Sequence, residues 1–243
     1  MIPKKIHYCW LSDDPMPEKI SKCLESWKRF LPDYELVKWD LNRFPLSKND
    51  WVREAFENKK YAFAADYIRL YALATEGGIY LDSDVEILKP FDDLLKYPYF
   101  VCKENSPQGI EAAIIGAEKN TSWIVECLNY YNGKHFIDEN GKAQTAVLPS
   151  ILKECILNKF EMRFIDSPSN FIYDDKIVCI LPTDFFSPKN YVTKKTTITQ
   201  NTYSIHHFAG TWQPLWKRII LQVWVPFSVK YPKLSEFIRS KIK

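Results

Sequence analysis

The sequence predicts a single α/β domain in which helices flank a mixed central sheet and a helical tail follows. The chain has 243 residues, which is enough for one sizeable core. Its residues are 46% hydrophobic and 26% charged, as in an average globular protein, so disorder is a poor explanation. Up to Trp39 the hydrophobic pattern reads strand, helix, strand, which is the usual opening of a layered α/β sheet.

The elements follow from the spacing of apolar residues along the chain. Amphipathic patterns predict helices at residues 18–30, 61–76, 123–131 and 145–157. The second of these ends at Gly77 and Gly78, which are typical of a C-terminal cap. Short apolar runs predict strands at residues 6–10, 34–39, 79–81, 99–102, 112–116, 177–181 and 203–207.

Residues 1–213 are predicted to form the domain, and residues 214–243 a basic, aromatic-rich helical tail. From Lys217 to Lys243 this tail carries seven basic residues and one acidic residue, Glu236. Apolar residues among these charges would allow residues 216–243 to lie in an anionic membrane interface. A C-terminal helix that packs on the sheet, with a solvated basic face, explains the same pattern, so both interpretations stay open.

The charge balance and the cysteines exclude several classes of protein. The formal net charge of +3 is too small to indicate a nucleic-acid partner. No apolar stretch has the length of a signal-peptide core or of a membrane span, so a cytoplasmic protein is expected, with peripheral contact at the inner face of the cytoplasmic membrane if the tail binds lipid. The six cysteines lack Cys-x-x-Cys spacing and are expected to be reduced thiols.

Two carboxylates, Asp82 and Asp84, follow directly after the predicted strand 79–81. Open α/β sheets place their ligands at the carboxyl ends of strands. Side chains two residues apart on an extended chain point to the same side, so both can face one cation, directly or through a water. Hard oxygen ligands suit Mg²⁺ or Mn²⁺. The pair is therefore a candidate metal site, and the alternative is a pair of solvated acids at a strand end.

An acid and a base precede this pair on the predicted helix 61–76. Asp66 and Arg69 lie three positions apart, so both project from one face of that helix. One interpretation is a surface ion pair, which stabilises a helix only slightly. The other is a ligand contact, which the alanines in the first turn favour because they leave room for a ligand to approach.

Adjacent histidines, His206 and His207, end the predicted strand 203–207. Neighbouring residues of a strand point to opposite faces, so only one of the two can reach a site, and the pattern does not say which. An imidazole added to two carboxylates shifts the preferred ion from Mg²⁺ towards Mn²⁺. Trp10, at the end of the first strand, either stacks on a flat ligand ring or belongs to the core.

Four segments together resemble the glycosyltransferase family 32 proteins, a group that includes bacterial capsule and lipopolysaccharide sugar transferases and yeast mannosyltransferases. The segments are residues 2–10, 65–71, 77–84 and 206–212. Their order and spacing agree with that family over about residues 1–212. The resemblance implies a GT-A-type nucleotide-sugar-binding fold and a retaining reaction.

The resemblance also implies roles for particular residues. In the related clostridial glucosylating toxins, an Asp-x-x-Arg stands sixteen residues before the Asp-x-Asp, as Asp66 and Arg69 do here, and contacts the donor sugar. The same toxins and the retaining bacterial galactosyltransferases place a metal ligand where His207 stands, which makes His207 the preferred ligand over His206.

The complete site implied by the resemblance has three parts. The catalytic residues are Asp66, Arg69, Asp82 and Asp84. The donor-binding residues are Trp10, Asp66, Arg69, Ser83, Thr211 and Trp212, with Trp10 stacked on the base. The ligands of Mn²⁺, or of Mg²⁺, are Asp82, Asp84 and His207.

The expected function is transfer of a hexose from a nucleotide sugar, a UDP-sugar in preference to GDP-mannose, to a saccharide or lipid-linked saccharide in surface polysaccharide synthesis. Two alternative functions predict other features of the sequence. A phosphotransferase of the haloacid dehalogenase type also ends a strand in Asp-x-Asp, but it normally carries Thr or Val where this chain has Glu86. A non-enzymatic sugar- or membrane-binding protein would not need the clustered carboxylates and histidine.

Overall fold

The computed structural model describes residues 1–106 and 109–210, together with six residues of the tail: Trp224, Phe227, Ser228, Tyr231, Leu234 and Ser235. Within this part of the chain the principal helices and strands are, in order, β1 (Lys5–Cys9), α1 (Glu18–Phe30), β2 (Glu35–Trp39), α2 (Asp50–Glu57), α3 (Tyr61–Glu76), β3 (Gly78–Leu81), β4 (Val85–Ile87), β5 (Tyr99–Phe100), β6 (Ile114–Ala117), α4 (Ser122–Asn129), α5 (Leu148–Lys159), β7 (Glu161–Phe164), β8 (Ile177–Ile180), α6 (Thr183–Phe186) and β9 (Ser204–His206).

A five-stranded mixed sheet forms the centre of the domain, in the spatial order β2-β1-β3-β6-β5. β1 runs parallel to β2 and β3, whereas β6 runs antiparallel to β3 and β5. Parallel neighbours need a crossover, which α1 supplies between β1 and β2. The predicted mixed sheet with flanking helices is therefore confirmed.

The helix α1 connects the core to the strand that follows the two aspartates. It buries Ile20, Cys23 and Trp27 along one face. The indole N–H of Trp27 donates a hydrogen bond to the carbonyl of Val85, at 2.7 Å, in a buried position. This bond fixes the start of β4, immediately after Asp84.

The helix α3 is buried on most sides, including at Asp66 and Arg69. It ends at Gly77, whose φ is +67°, and Gly78 follows with a φ of +111°. A Cβ atom on Gly78 would lie 2.9 Å from the carbonyl oxygen of Lys5. Glycine is needed there because β3 approaches β1 closely while the backbone leaves the helix. The predicted stop of this helix is confirmed.

In the described part of the chain, two small sheets lie outside the central one. β4 pairs with β9 in antiparallel orientation, and β7 pairs with β8 in parallel orientation. The first of these brings the residues after β3 next to the residues after β9. The sequence analysis did not predict α2, β4, β7 or α6, which are all short.

The described tail residues have helical hydrogen bonds. The N–H of Tyr231 donates to the carbonyl of Phe227 at 2.8 Å, and the N–H of Ser235 donates to that of Tyr231 at 2.9 Å. The remainder of the predicted tail, and with it the predicted membrane contact, lies outside the described residues. Within the described part, no helix is both long and apolar enough to cross a bilayer.

Candidate active site

A cavity of about 850 Å³ lies at the carboxyl ends of β1 and β3. This volume is in the range of small-molecule sites, and its position is the one at which open α/β sheets bind ligands. The cavity brings together these candidate residues of the sequence analysis: Trp10, Asp66, Arg69, Asp82, Ser83, Asp84 and His206.

Asp82 and Asp84 lie in the turn that joins β3 to β4. The N–H of Val85 donates to the carbonyl of Asp82 at 3.0 Å. Asp82 Oδ1 accepts from the Tyr80 hydroxyl at 3.2 Å and lies 3.1 Å from Arg69 Nη2. Burial raises the pKa of Asp82, Arg69 opposes the rise, and Asp84 adds to it. The two carboxylates were expected to point to one side of an extended strand. This is wrong, because β3 ends at Leu81 and a turn brings Asp82 and Asp84 together.

His206 is the histidine that faces these carboxylates. The pairing of β9 with β4 places it opposite Val85. Its Nε2 lies 3.7 Å from Asp84 Oδ1, and the N–H of Ala209 donates to Asp84 Oδ2 at 2.6 Å. Burial acts to lower the pKa of His206, but the charges of Glu111 and Asp84 raise it to about 10. The surrounding acids therefore favour a proton on this imidazole, which Nε2 would have to release before it could bind a cation.

The structure differs from the choice of His207 as metal ligand. His207 Nε2 lies 2.8 Å from Glu86 Oε2, outside the cavity lining. Only the backbone of His207 meets the aspartates, because its N–H donates to the Asp84 carbonyl at 3.2 Å. The expectation that one of the two histidines reaches the site is met, but by His206.

Among the described residues, two groups of side chains could each hold a cation, and both include His206. The first is Asp82, Asp84 and His206, and the second is Glu104, Glu111 and His206; in each, the ligand atoms lie within 4.8 Å of one another. His206 Nδ1 lies 3.2 Å from Glu111, so Nε2 is left for the first group. Two carboxylates and an imidazole are suitable donors for Mn²⁺ or Mg²⁺. The first group therefore fits the predicted divalent ion.

Glu111 and Glu104 are candidate functional residues that the sequence analysis missed. Glu111 is fully buried, holds His206 Nδ1 and accepts from the N–H of Ala113 at 2.9 Å. Burial opposes its ionisation, but the charge of His206 and these hydrogen bonds lower the pKa of Glu111. Burial and the charge of Glu111 raise the pKa of Glu104 to about 8. A single acid in the apolar run 110–115 was the available signal.

Replacing Glu111 by Gln is expected to weaken Mn²⁺ binding about 10- to 100-fold, the usual effect of removing the group that orients a ligating histidine. The amide offers one acceptor oxygen to three donors, His206 Nδ1–H, the N–H of Ala113 and the Ser187 hydroxyl. Free Mn²⁺ can be measured by electron paramagnetic resonance during titration of each protein.

The matched control is Glu104→Gln, which removes a buried carboxylate from the same cavity wall. We expect Glu104→Gln to change Mn²⁺ affinity less than Glu111→Gln does. A larger loss with Glu104→Gln would place the ion in the second group and contradict the assignment to Asp82 and Asp84.

Arg69 joins α3 to the aspartate turn inside the domain. Its Nη2 lies 3.1 Å from Asp66 Oδ1 and 3.1 Å from Asp82 Oδ1, and its Nη1 donates to the Ala112 carbonyl at 2.5 Å. The side chains of Arg69 and Asp66 are only 6% and 13% exposed, so the interpretation as a surface ion pair is wrong. Burial raises the pKa of Asp66 to about 7, although Arg69 opposes the rise.

The predicted donor-binding residues are only partly within the described structure. Trp10 is partly buried and lines the cavity, and its indole N–H donates to the Asp14 carbonyl at 3.0 Å. Ser83 lines the same cavity. Thr211 and Trp212 lie outside the described residues, so their roles stay predictions.

The cavity at the sheet edge thus combines an Asp-x-Asp turn, a facing histidine and a neighbouring Asp–Arg pair. Residues 17–101 match the family model for the glycosyltransferase sugar-binding region containing the DXD motif. This match confirms the predicted resemblance to family 32 glycosyltransferases over residues 17–101. Asp66, Arg69, Asp82 and Asp84 all lie within the matched range.

Curated relatives agree with this family. The chain is 33% identical over 129 residues to inositol phosphoceramide mannosyltransferase 3 of Schizosaccharomyces pombe, a match that covers 51% of this chain and 36% of the relative. It is 30% identical over 132 residues to mannosyl phosphorylinositol ceramide synthase SUR1 of Saccharomyces cerevisiae, covering 53% and 34%. The chain therefore spans about a third of the length of these relatives.

A solved structure shares the fold. The crystal structure of a glycosyltransferase involved in glycosylation of the major capsid of PBCV-1 aligns with a TM-score of 0.50 and 12% identity, over 90% of this chain and 98% of that one. At this identity the likeness concerns the fold alone. The GT-A-type α/β fold is confirmed.

Proposed function

We propose that this protein is a retaining, metal-dependent hexosyltransferase that uses a nucleotide sugar. The observation that supports the proposal most directly is the grouping of Asp82, Asp84 and His206 in the cavity at the carboxyl edge of the sheet. A divalent ion bound there would act as a Lewis acid towards the diphosphate leaving group. We propose Mn²⁺ as that ion, because the group contains an imidazole.

The chain's own residues would hold the donor around this centre. We assign the hydroxyl groups of the donor sugar to Asp66 and Arg69, which lie between α3 and Asp82. Trp10 borders the cavity at the end of β1 and would stack on the base. The Arg69–Asp82 contact would hold the sugar-binding residues at a fixed distance from the turn that carries Asp82 and Asp84.

We propose that the acceptor hydroxyl attacks from the side of the leaving group. The new bond joins the acceptor oxygen to the anomeric carbon, the bond to the phosphate oxygen breaks, and the leaving phosphate takes the proton. Five of the six described cavity carboxylates have a partner: Asp66 and Asp82 contact Arg69, Asp84 contacts Ala209, Glu111 contacts His206 and Glu104 contacts Ser106. The sixth, Asp14, is exposed. This argues against a free carboxylate nucleophile in the buried part of the cavity for a double displacement.

The identities of the donor sugar and of the acceptor are further parts of the proposal. The sequence analysis favours a UDP-sugar, whereas the names of the two fungal relatives favour a mannosyl donor. A saccharide or lipid-linked saccharide of surface polysaccharide synthesis is the proposed acceptor. The cytoplasmic location and the membrane contact of residues 216–243 stay predictions.

The function is tested by measuring hydrolysis of UDP- and GDP-sugars, with and without Mn²⁺. We expect Mn²⁺-dependent release of the nucleoside diphosphate from one donor and little from the others. Hydrolysis of simple phosphate esters without nucleotide-sugar turnover would instead support the phosphotransferase. Binding of sugars with no turnover of any donor would support a non-enzymatic protein. The hydrogen bond and ion pair at Asp82 Oδ1 argue against the first rival, which needs that carboxylate as a nucleophile.

A further inference from the structure

Two lysines stand beside the cavity, next to the segment that carries His206. Lys194 lines the cavity, and its Nζ lies 4.5 Å from the ring centroid of Tyr191 and 5.8 Å from that of Phe208. Lys189 Nζ donates to the carbonyl of His207 at 3.1 Å. Phe208 in turn contacts His206, with ring centroids 4.0 Å apart. The lysines are therefore adjacent to the proposed metal centre but separate from it.

The loop that carries these lysines is held in place by hydrogen bonds. The side chain of Asn190 accepts from the N–H groups of Val192 and Thr193, at 3.0 and 2.7 Å, and donates to Asn105 Oδ1 at 2.9 Å. Lys194 has a φ of +59°, an uncommon backbone conformation for a residue with a side chain. The ammonium groups are thus carried by an ordered loop.

The positive charge of this loop has no local counter-charge in the described part of the chain. Lys189 and Lys194 are partly buried, and no described carboxylate forms an ion pair within 4.0 Å of either of them or of Lys19, in the first turn of α1. Burial lowers the pKa of Lys189 and of Lys194, and Lys19 lowers both further.

The nearest acids are already engaged. Asp84 acts on Lys189 at longer range, but its carboxylate accepts from the N–H of Ala209 and lies beside His206. The carboxylate of Glu86 is bonded to His207. Two ammonium groups on one loop beside a ligand cavity, with no carboxylate in an ion pair with either among the described residues, favour an anion supplied by a ligand.

We propose that Lys189 and Lys194 bind a phosphate group carried by the acceptor. Lysine is a common phosphate ligand, and charge-assisted hydrogen bonds to phosphate are among the stronger ones. The donor diphosphate has a separate assignment at Asp82, Asp84 and His206. This assignment to the acceptor rests on the proposed function, while the anion site itself is defined without it.

The test measures binding of phenyl phosphate directly, by ³¹P NMR titration of the protein without nucleotide sugar and at constant ionic strength. The variants are Lys189→Met, Lys194→Met and the double variant, which keep most of each apolar stem. We expect each single change to weaken binding about tenfold and the double change to abolish it, because a charged hydrogen bond is lost each time. Lys194→Arg should keep binding within a few fold.

The matched control is Lys195→Met, on the same loop but exposed and outside the cavity lining. A second series measures UDP and GDP binding in the presence of Mn²⁺ by calorimetry. We expect the dissociation constant of every variant to stay within about twofold of the wild-type value, a smaller change than the loss of a charged hydrogen bond would cause. Loss of nucleoside diphosphate binding would assign the lysines to the donor and overturn the proposal. Equal phenyl phosphate binding by Lys195→Met and the double variant would also overturn it. Failure of donor turnover alone would contradict the proposed function, not this site.

Discussion

Asp84→Asn is expected to lower kcat by about 10² to 10³, the usual effect of losing one pre-placed electrostatic contact. The asparagine oxygen can still accept from the N–H of Ala209, so the turn should keep its shape. What is lost is the negative charge beside His206, where the divalent ion is proposed to bind. The measurement is Mn²⁺-dependent turnover of the best nucleotide sugar, with thermal unfolding followed in parallel.

Glu86→Gln is the matched control for this change. Glu86 lies two residues further along the chain, outside the cavity lining, and is bonded to His207. We expect near-normal turnover from Glu86→Gln and from His207→Gln, and a loss comparable to that of Asp84→Asn from His206→Gln. Near-normal turnover by Asp84→Asn would contradict the assignment of the metal centre.

Arg69→Met is expected to destabilise the protein by about 3 kcal/mol, because it leaves the buried Asp66 carboxylate and the partly exposed Asp82 carboxylate without their shared cation. Asp66 and Asp82 each lie 3.1 Å from the Arg69 guanidinium, and that side chain is only 6% exposed. The free energy of unfolding is measured by urea titration at several pH values. Without Arg69, which opposes the rise, the pKa of Asp66 lies above its wild-type value of about 7, so the loss of stability is expected to increase as the pH is raised.

The chain contains a matched control for Arg69 on the neighbouring helix α2. Arg53 pairs with Asp50 at 2.7 Å and at the same spacing of three residues, but both side chains are exposed, at 38% and 61%. We expect Arg53→Met to change the free energy of unfolding very little, since exposed ion pairs contribute little. Equal effects of the two substitutions would contradict the buried role of Arg69.

Elements with strong periodicity or a clear stop signal were predictable from the sequence. The bounds of α1 and α3 match the predicted ranges, because both are long and the second ends at two glycines. The missed strand β4 has three residues and exists as the partner of β9, so its signal lies in a distant segment rather than in its own residues.

The sequence also predicted part of the candidate site. Asp66, Arg69 and Asp82 were chosen as residues of one site, and the structure places them in contact. The choice between His206 and His207 failed because it depends on the register between β9 and β4, which no local pattern contains. Burial of the Asp66–Arg69 pair also followed from packing, because α3 is covered on most sides.

The β4–β9 pairing also affects how the protein acquires its binding centre. The Asp84–Ala209 bond joins residues 125 positions apart, so the centre does not exist until the chain has closed a loop of that length. Contacts of such long sequence separation form late and slowly. Any ion that binds only the closed form would stabilise that closure by mass action. Metal supply during biosynthesis would then influence how much of the protein reaches the native state, before any substrate is encountered.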